Sequence, residues 1–257
     1  MKARMAWVSV VVGACALIAS AASAGAAAPV SAAANHRSAT RAAWPGLTST
    51  NWSGYAQTPN GSTSYTYASG SWTVPSVQKK NGYSSSWVGI DGFDNSSLIQ
   101  TGTEHDYVNG HAVYRAWWEI LPAAETIIPS ITVSPGDHIT AFVKHSTGNK
   151  WLISISDVTT GKSFSTTQTY TGPGHSAEWI QEAPSNGVSV LKLAHYSKTT
   201  FSGLQVGVNG ANPVNATLKF PSFAIAMVQN GKQVSTPSKP TGNSFAIAYG
   251  KKQPAAP

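Results

Sequence analysis

The chain has a single cysteine, Cys15, among 257 residues. It lies in an apolar run near the N-terminus, so the rest of the protein has no disulfide, no thiolate nucleophile and no cysteine metal site. Acid is also scarce: ten Asp and Glu stand against 17 Lys and Arg, for a net charge of +7. That charge is uneven. Lys2, Arg4, Arg37 and Arg41 all precede Trp44, and every acid follows it, which leaves 13 bases facing ten acids in the remainder. No basic run interleaves with aromatics, which excludes the usual nucleic-acid pattern. Acid denaturation largely reflects protonation of carboxylates that the native state stabilises. A fold with few carboxylates has less to lose at low pH, which points to an acidic working environment.

The N-terminus reads as an export signal. Lys2 and Arg4 form a basic start, an apolar run extends from Met5 through Ala22, and "ASA" (22–24) is a small-x-small cleavage site. Residues 1–24 are therefore expected to be a signal peptide, and the product secreted, with no membrane association once the signal is removed. Residues 25–43 are Ala-rich without apolar periodicity and read as a linker or short propeptide. Residues 44–257, roughly 210 in number, suffice for one sizeable core and one domain.

From Trp44 onward, runs of Ser, Thr, aromatic and β-branched residues alternate with turn signals such as "TPNGS", "KKNG", "SPGD", "STGN", "TTGK" and "QNGK". That is the texture of strands and hairpins. No stretch offers a convincing amphipathic helix of three turns. The expected class is all-β, a two-sheet antiparallel β-sandwich.

Scarce acids fall inside apolar strand patterns, where their positions are informative. In "HSAEWIQEAP" (175–184), alternation puts Ala177, Trp179 and Gln181 on one face and Glu178, Ile180 and Glu182 on the other. "SSWVGIDGF" aligns Trp87 with Asp91. "SLIQTGTEH" aligns Leu98, Gln100, Gly102 and Glu104, and "YRAWWEIL" aligns Arg115, Trp117 and Glu119. Polar residues beside tryptophans suit either the lining of a groove or the rim of an ordinary aromatic core. The common hydrolase signatures G-x-S-x-G and H-E-x-x-H are missing, as are the D-T-G or D-S-G pairs of aspartic peptidases. The His105/His111 pair is weak as a metal site. No metal or cofactor is expected. What remains is carboxylate and amide chemistry.

Five motifs in order, "STNWSGYA", "WVGIDG", "LIQTGTEH", "WWEILP" and "AEWIQEAP", together resemble the glutamic peptidases, or eqolisins. The resemblance runs from about Thr50 to Ala183, with compatible strand texture to Tyr249. It implies a sandwich of two curved antiparallel sheets like that of the lectins and glucanases (a concanavalin-like jelly roll) and an acid-acting endopeptidase with polypeptide substrates. It implies a catalytic glutamine at Gln100 and, through "AEWI", a catalytic glutamate at Glu178. Trp52, Trp87, Asp91, Glu104, Trp117 and Glu119 match positions that shape the family's substrate cleft. Three features depart from the fungal members. Glu104 stands in place of an aspartate, Ile120 and Leu121 replace a Trp-Tyr pair, and the disulfides are lacking, which points to a bacterial branch. A monomer is expected. Two sugar-directed readings compete: a glycoside hydrolase using Glu119 and Glu178, and a carbohydrate-binding module whose tryptophans stack on sugars. Gln100 has no role in the first, and Glu178 none in the second.

Overall fold

A computed structural model describes residues 45–219 and 222–257. The proposed signal peptide and the linker, together with Trp44, lie outside the described residues. Sixteen strands and no helix occur among those described. In chain order they are β1 (Leu47–Ser49), β2 (Trp52–Gln57), β3 (Tyr65–Thr73), β4 (Ser85–Ile90), β5 (Ile99–Val108), β6 (His111–Ile120), β7 (Thr126–Ile127) and β8 (His138–His145). They continue with β9 (Lys150–Asp157), β10 (Lys162–Thr169), β11 (Ala177–Glu182), β12 (Thr199–Val208), β13 (Val214–Asn215), β14 (Ser222–Gln229), β15 (Lys232–Pro237) and β16 (Phe245–Tyr249).

Hydrogen bonding links the strands in one path, β10-β9-β8-β3-β12-β16-β15-β14-β2-β11-β4-β5-β6-β7. The path folds over so that β3, β8 and β9 pack against β4, β5 and β11. The result is the expected sandwich, with its two layers joined along one edge through β16 and β15. Pairing is antiparallel throughout except for β1, which lies parallel to β14.

Period-two alternation explains the layering. In β9, Trp151, Ile153, Ile155 and Asp157 are buried while the residues between them are not. In β10 the outward residues are Thr, Ser and Lys, as befits the sheet's edge. The inter-layer core collects Val88, Ile90, Ile99, Ile139, Val143, Ile153, Ile155, Trp179 and Phe201. Trp179 also donates its indole N–H to the Ser69 carbonyl at 2.8 Å, which pins β11 to β3 across the layers.

The layer β14-β2-β11-β4-β5-β6-β7 differs from an ordinary one-sided sheet because it is occupied on both faces. Its second face carries a smaller apolar cluster of Trp52, Ala56, Trp87, Leu98, Trp117, Ile180 and Ile225. Two glycines make room for it. A Cβ at Gly102 would lie 2.3 Å from the Ser86 carbonyl oxygen and 2.6 Å from Cβ of Trp87. At Gly54, φ is +147° and a Cβ would lie 2.2 Å from the Trp179 carbonyl oxygen. Both positions demand glycine so that the bulky Ile180 and Trp87 can lie between them in the same cross-strand row.

Candidate active site

Register places the chemistry-bearing residues of this second face in rows across the strands. One row runs Ala56, Glu178, Gly89, Gln100, Glu119. The next runs Gly54, Ile180, Trp87, Gly102, Trp117, and the third Trp52, Glu182, Ser85, Glu104, Arg115. The expected alignments of Gln100 with Glu104 and of Trp117 with Glu119 therefore hold.

Gln100 is buried, and its Nε2 donates to Glu119 Oε2 at 2.6 Å. Burial pushes the Glu119 carboxyl up to about 7, and the Gln100 amide opposes that rise by favouring the charged form. Gln100 Oε1, Glu119 Oε1 and Trp117 Nε1 are buried without a protein partner. Three such atoms on one face mark a place where polar chemistry is left open.

Glu182 sits in the third row and retains some exposure. Trp87 donates its indole N–H to Glu182 Oε2 at 2.7 Å, and Asn51 Nδ2 donates to Oε1 at 3.2 Å. Trp52 supplies a further hydrogen bond, and its ring meets that of Trp87 edge-on with centroids 5.0 Å apart. Burial first, and then the nearby Glu119 charge, push Glu182 up to about 8, while the three donors pull the other way. Glu182 and Glu119 thus face one another electrostatically across the tryptophan cluster.

Glu178 is placed differently. It is fully buried, and neither carboxylate oxygen has a hydrogen bond of normal geometry. Burial raises its pKa well above the ordinary value, the Asp91 and Asp94 charges add to the rise, and the neighbouring Ser176 hydroxyl opposes it. It shares a row with Gln100, with Gly89 between them.

Asp91 also departs from its expected alignment with Trp87. β4 ends at Ile90, and Asp91 takes a left-handed conformation with φ 70°. Its carboxylate accepts from the Tyr170 hydroxyl (2.6 Å), the backbone N–H of Gly174 (2.9 Å) and His175 (2.8 Å), and Asn95 Nδ2 (3.0 Å). It is committed to holding the 170–176 connection. Glu104 is also largely engaged: Arg115 donates to its Oε2 from Nε at 3.0 Å and from Nη2 at 2.5 Å. Asp106 and Glu125 press on Glu104 as well, and each is pushed up to about 8, by burial first and the Glu104 charge second. Sequence reasoning passed over Asn51, Tyr170, Asp106, Glu125 and, as a site residue, Glu182. Only Glu182 carried a usable signal, since it shares a face with Ile180 and Glu178. Among the described residues, no group of three or more His, Cys, Asp or Glu is placed to hold a metal ion.

A sandwich carrying a glutamine–carboxyl pair amid tryptophans is the setting of a hydrolase. Comparison with known proteins specifies which kind. The Peptidase A4 family model matches residues 50–249. Aspergillopepsin-2 of Aspergillus niger is 29% identical over 230 residues, covering 78% of each chain. Scytalidopepsin B of Scytalidium lignicola is 33% identical over 110 residues, covering 39% of this chain and 41% of that one. Among solved structures, scytalido-glutamic peptidase bound to a transition-state analog inhibitor superposes with a TM-score of 0.67 at 25% identity, covering 78% of this chain and 98% of that one. Aspergilloglutamic peptidase from Aspergillus niger gives a TM-score of 0.54 at 28% identity, covering 65% and 99%. The chain belongs to the Peptidase A4 family, the eqolisins or glutamic peptidases, and is a peptide hydrolase. The glycosidase and carbohydrate-binding readings give way to this finding.

Proposed function

We propose that this peptidase cleaves polypeptides in acid with Glu182 as general base and Gln100 as oxyanion donor. The observation that carries the assignment is the contrast on β11. Glu182 keeps some exposure and three donors beside Glu119, whereas Glu178 is enclosed with only the neighbouring Ser176 hydroxyl to favour its charge. On this reading the base is the second glutamate of "AEWIQE" rather than the first.

Ionised Glu182 takes a proton from a water whose oxygen attacks the scissile carbonyl carbon. The Gln100 Nε2 group has two N–H donors. One is spent on Glu119, and the other is free for the developing oxyanion. Such a donor is typically worth about 3–4 kcal/mol in the transition state. Protonated Glu182 then passes its proton to the leaving nitrogen as the C–N bond breaks, giving a carboxylic acid and an amine. The neighbouring Glu119 supports this cycle in acid. Burial is the larger cause of the rise at Glu182 and the Glu119 charge the second; once Glu119 is protonated the second is gone, and the donors from Trp87, Asn51 and Trp52 favour the ionised form.

Trp52, Trp87, Trp117 and Glu119 would border the bound peptide, with Glu104 and Arg115 one row further along. Asp91 would support the cleft from behind. Acid action draws support from the acids themselves. Asp106, Glu119, Glu125 and Glu178 are all shifted toward their protonated forms, so low pH suits four of the chain's ten acids. Residues 1–24 as an export signal and 25–43 as a linker or short propeptide complete the reading of a secreted, monomeric enzyme. Among the described residues, no helix is long and apolar enough to cross a membrane. Digestion of a denatured protein at about pH 3–4, close to the ordinary carboxyl range, and again near neutrality tests the reading. Acid cleavage that is lost in Glu182→Gln and kept in Glu178→Gln supports it. Acid cleavage that survives in Glu182→Gln sinks it.

A further inference from the structure

Glu178 is left without a role by the proposed chemistry, yet it occupies a costly position. Its side chain is fully buried and both oxygens lack a hydrogen bond of normal geometry. The titratable and charged groups that face it come from every neighbouring element. Tyr65 comes from β3, Tyr170 from the end of the β10 hairpin, and Asp91 and Asp94 from the turn after β4. His175 approaches Asp94 at 3.9 Å and is itself exposed. None of the groups acting on Glu178 is a lysine or arginine. An ionised Glu178 would therefore be a buried anion beside another carboxylate, with no cation to balance it.

The neutral acid suits the same place well. Asp91 is saturated by Tyr170, Gly174, His175 and Asn95. The connection 170–176 is closed further by the Tyr65 N–H donating to the Gly174 carbonyl at 2.8 Å and the Asp91 N–H donating to the Ser176 carbonyl at 2.9 Å. β11 begins directly after this connection and carries both glutamates.

We propose that Glu178 is a protonation gate on the fold: neutral, it lets the 170–176 connection close against the β2-β11-β4 layer, and ionised, it opens that connection and takes the peptidase out of action toward neutral pH. The sign follows from linkage. Between the ordinary carboxyl range and the raised native value, folded Glu178 holds a proton that the unfolded chain has released. Where the native state binds more protons, stability falls as pH rises. The gate thus closes in acid and opens as alkalinity increases. Opening at 174–178 would also shift the strand that presents Glu182, so activity and fold would be lost together. This inference extends the proposed function, since it concerns the pH range rather than the bond-breaking step.

Tryptophan fluorescence and cleavage activity of the purified active protein, followed from acid to alkaline pH, test it, with Glu178→Gln and Glu182→Gln alongside. Glu178→Gln should keep acid activity and move the midpoint of the alkaline transition up by about half a pH unit or more. Glu182→Gln should lose activity while retaining an alkaline transition. In the wild type, hydrogen exchange resolved by peptide should show 170–182 losing protection at lower pH than β8 and β9, a readout that stands even where Glu178→Gln does not fold. An unmoved midpoint in folded Glu178→Gln, or protection lost first in β8 and β9, overturns the gate. A folded Glu178→Gln that is inactive in acid overturns the gate and the Glu182 assignment together, whereas an active Glu182→Gln overturns only the latter.

Discussion

Glu178 and Glu182 lie on one face of the same strand, four residues apart; Glu182 retains some exposure and three donors, whereas Glu178 is fully buried with only the Ser176 hydroxyl beside it. The difference arises at the two ends of β11. One end abuts the Asp91 turn and the 170–176 connection, and the other opens beside Trp52 and Trp87.

The first prediction concerns the proposed pair. Glu182→Gln should lower kcat by about 10²–10⁴, the range for a positioned general base. Gln100→Ala should lower it by about 10²–10³, as loss of one oxyanion donor does. In both, KM should change little, because each interaction strengthens in the transition state. Steady-state kinetics on a peptide substrate measures this. A Gln100→Ala variant changed only in KM would assign Gln100 to substrate binding.

Glu119 should leave the acid limb of the pH profile in place. Its charge is one of the causes that raise Glu182, but burial pushes Glu119 itself up to about 7, so that charge is gone in acid. Glu119→Gln should therefore move the acid limb of kcat little. Activity should fall, since the Gln100 amide loses the carboxyl that holds it at 2.6 Å. An acid limb that moves down in Glu119→Gln would show that the Glu119 charge persists in acid.

Gly102 should not tolerate a side chain. Its Cβ would strike the Ser86 carbonyl and Trp87 at 2.3 and 2.6 Å. Overpacking of this kind typically costs about 1–3 kcal/mol. Gly102→Ala should therefore lower Tm and also displace Trp87 from Glu182, reducing kcat beyond any loss of folded protein. Thermal unfolding and active-fraction kinetics separate the two effects.

Thermal stability should be greatest in acid and fall as pH rises. Asp106 and Glu125 are each raised to about 8 and Glu119 to about 7, against ordinary values of 3.8 for Asp and 4.5 for Glu. Over that window the native state holds protons that the unfolded chain has lost. Each such proton steepens the decline by about 1.4 kcal/mol per pH unit. Calorimetry across pH measures the slope. A Tm that rises from acid to neutral would show that these carboxyls are stabilised in their charged forms instead.

Much of the molecule was legible from local pattern. The turn signals marked the hairpins, and the alternations in "SLIQTGTEH" and "YRAWWEIL" placed Gln100, Glu104, Trp117 and Glu119 on one face, where the registers hold them. The Trp87–Asp91 alignment failed because alternation applies only while a strand continues, and β4 stops at Ile90. Arg115 was visible on the face of Trp117 and Glu119. Its pairing with Glu104, and the pressure of Asp106 and Glu125, depend on which strands lie side by side.

By itself the sequence determined the all-strand class, the sandwich and the peptidase family, because strand periodicity, turn residues and ordered motifs are properties of the chain read along its length. The difference in surroundings between two glutamates on one strand face, on which the proposed choice of base rests, comes only from the tertiary structure. A period of two assigns positions i and i+4 to the same face and carries no information about which end of the strand is sealed. Burial, donors and charge at each end come from segments distant in sequence: Asn51, Trp52 and Trp87 around Glu182, and Tyr65, Asp91 and Tyr170 around Glu178.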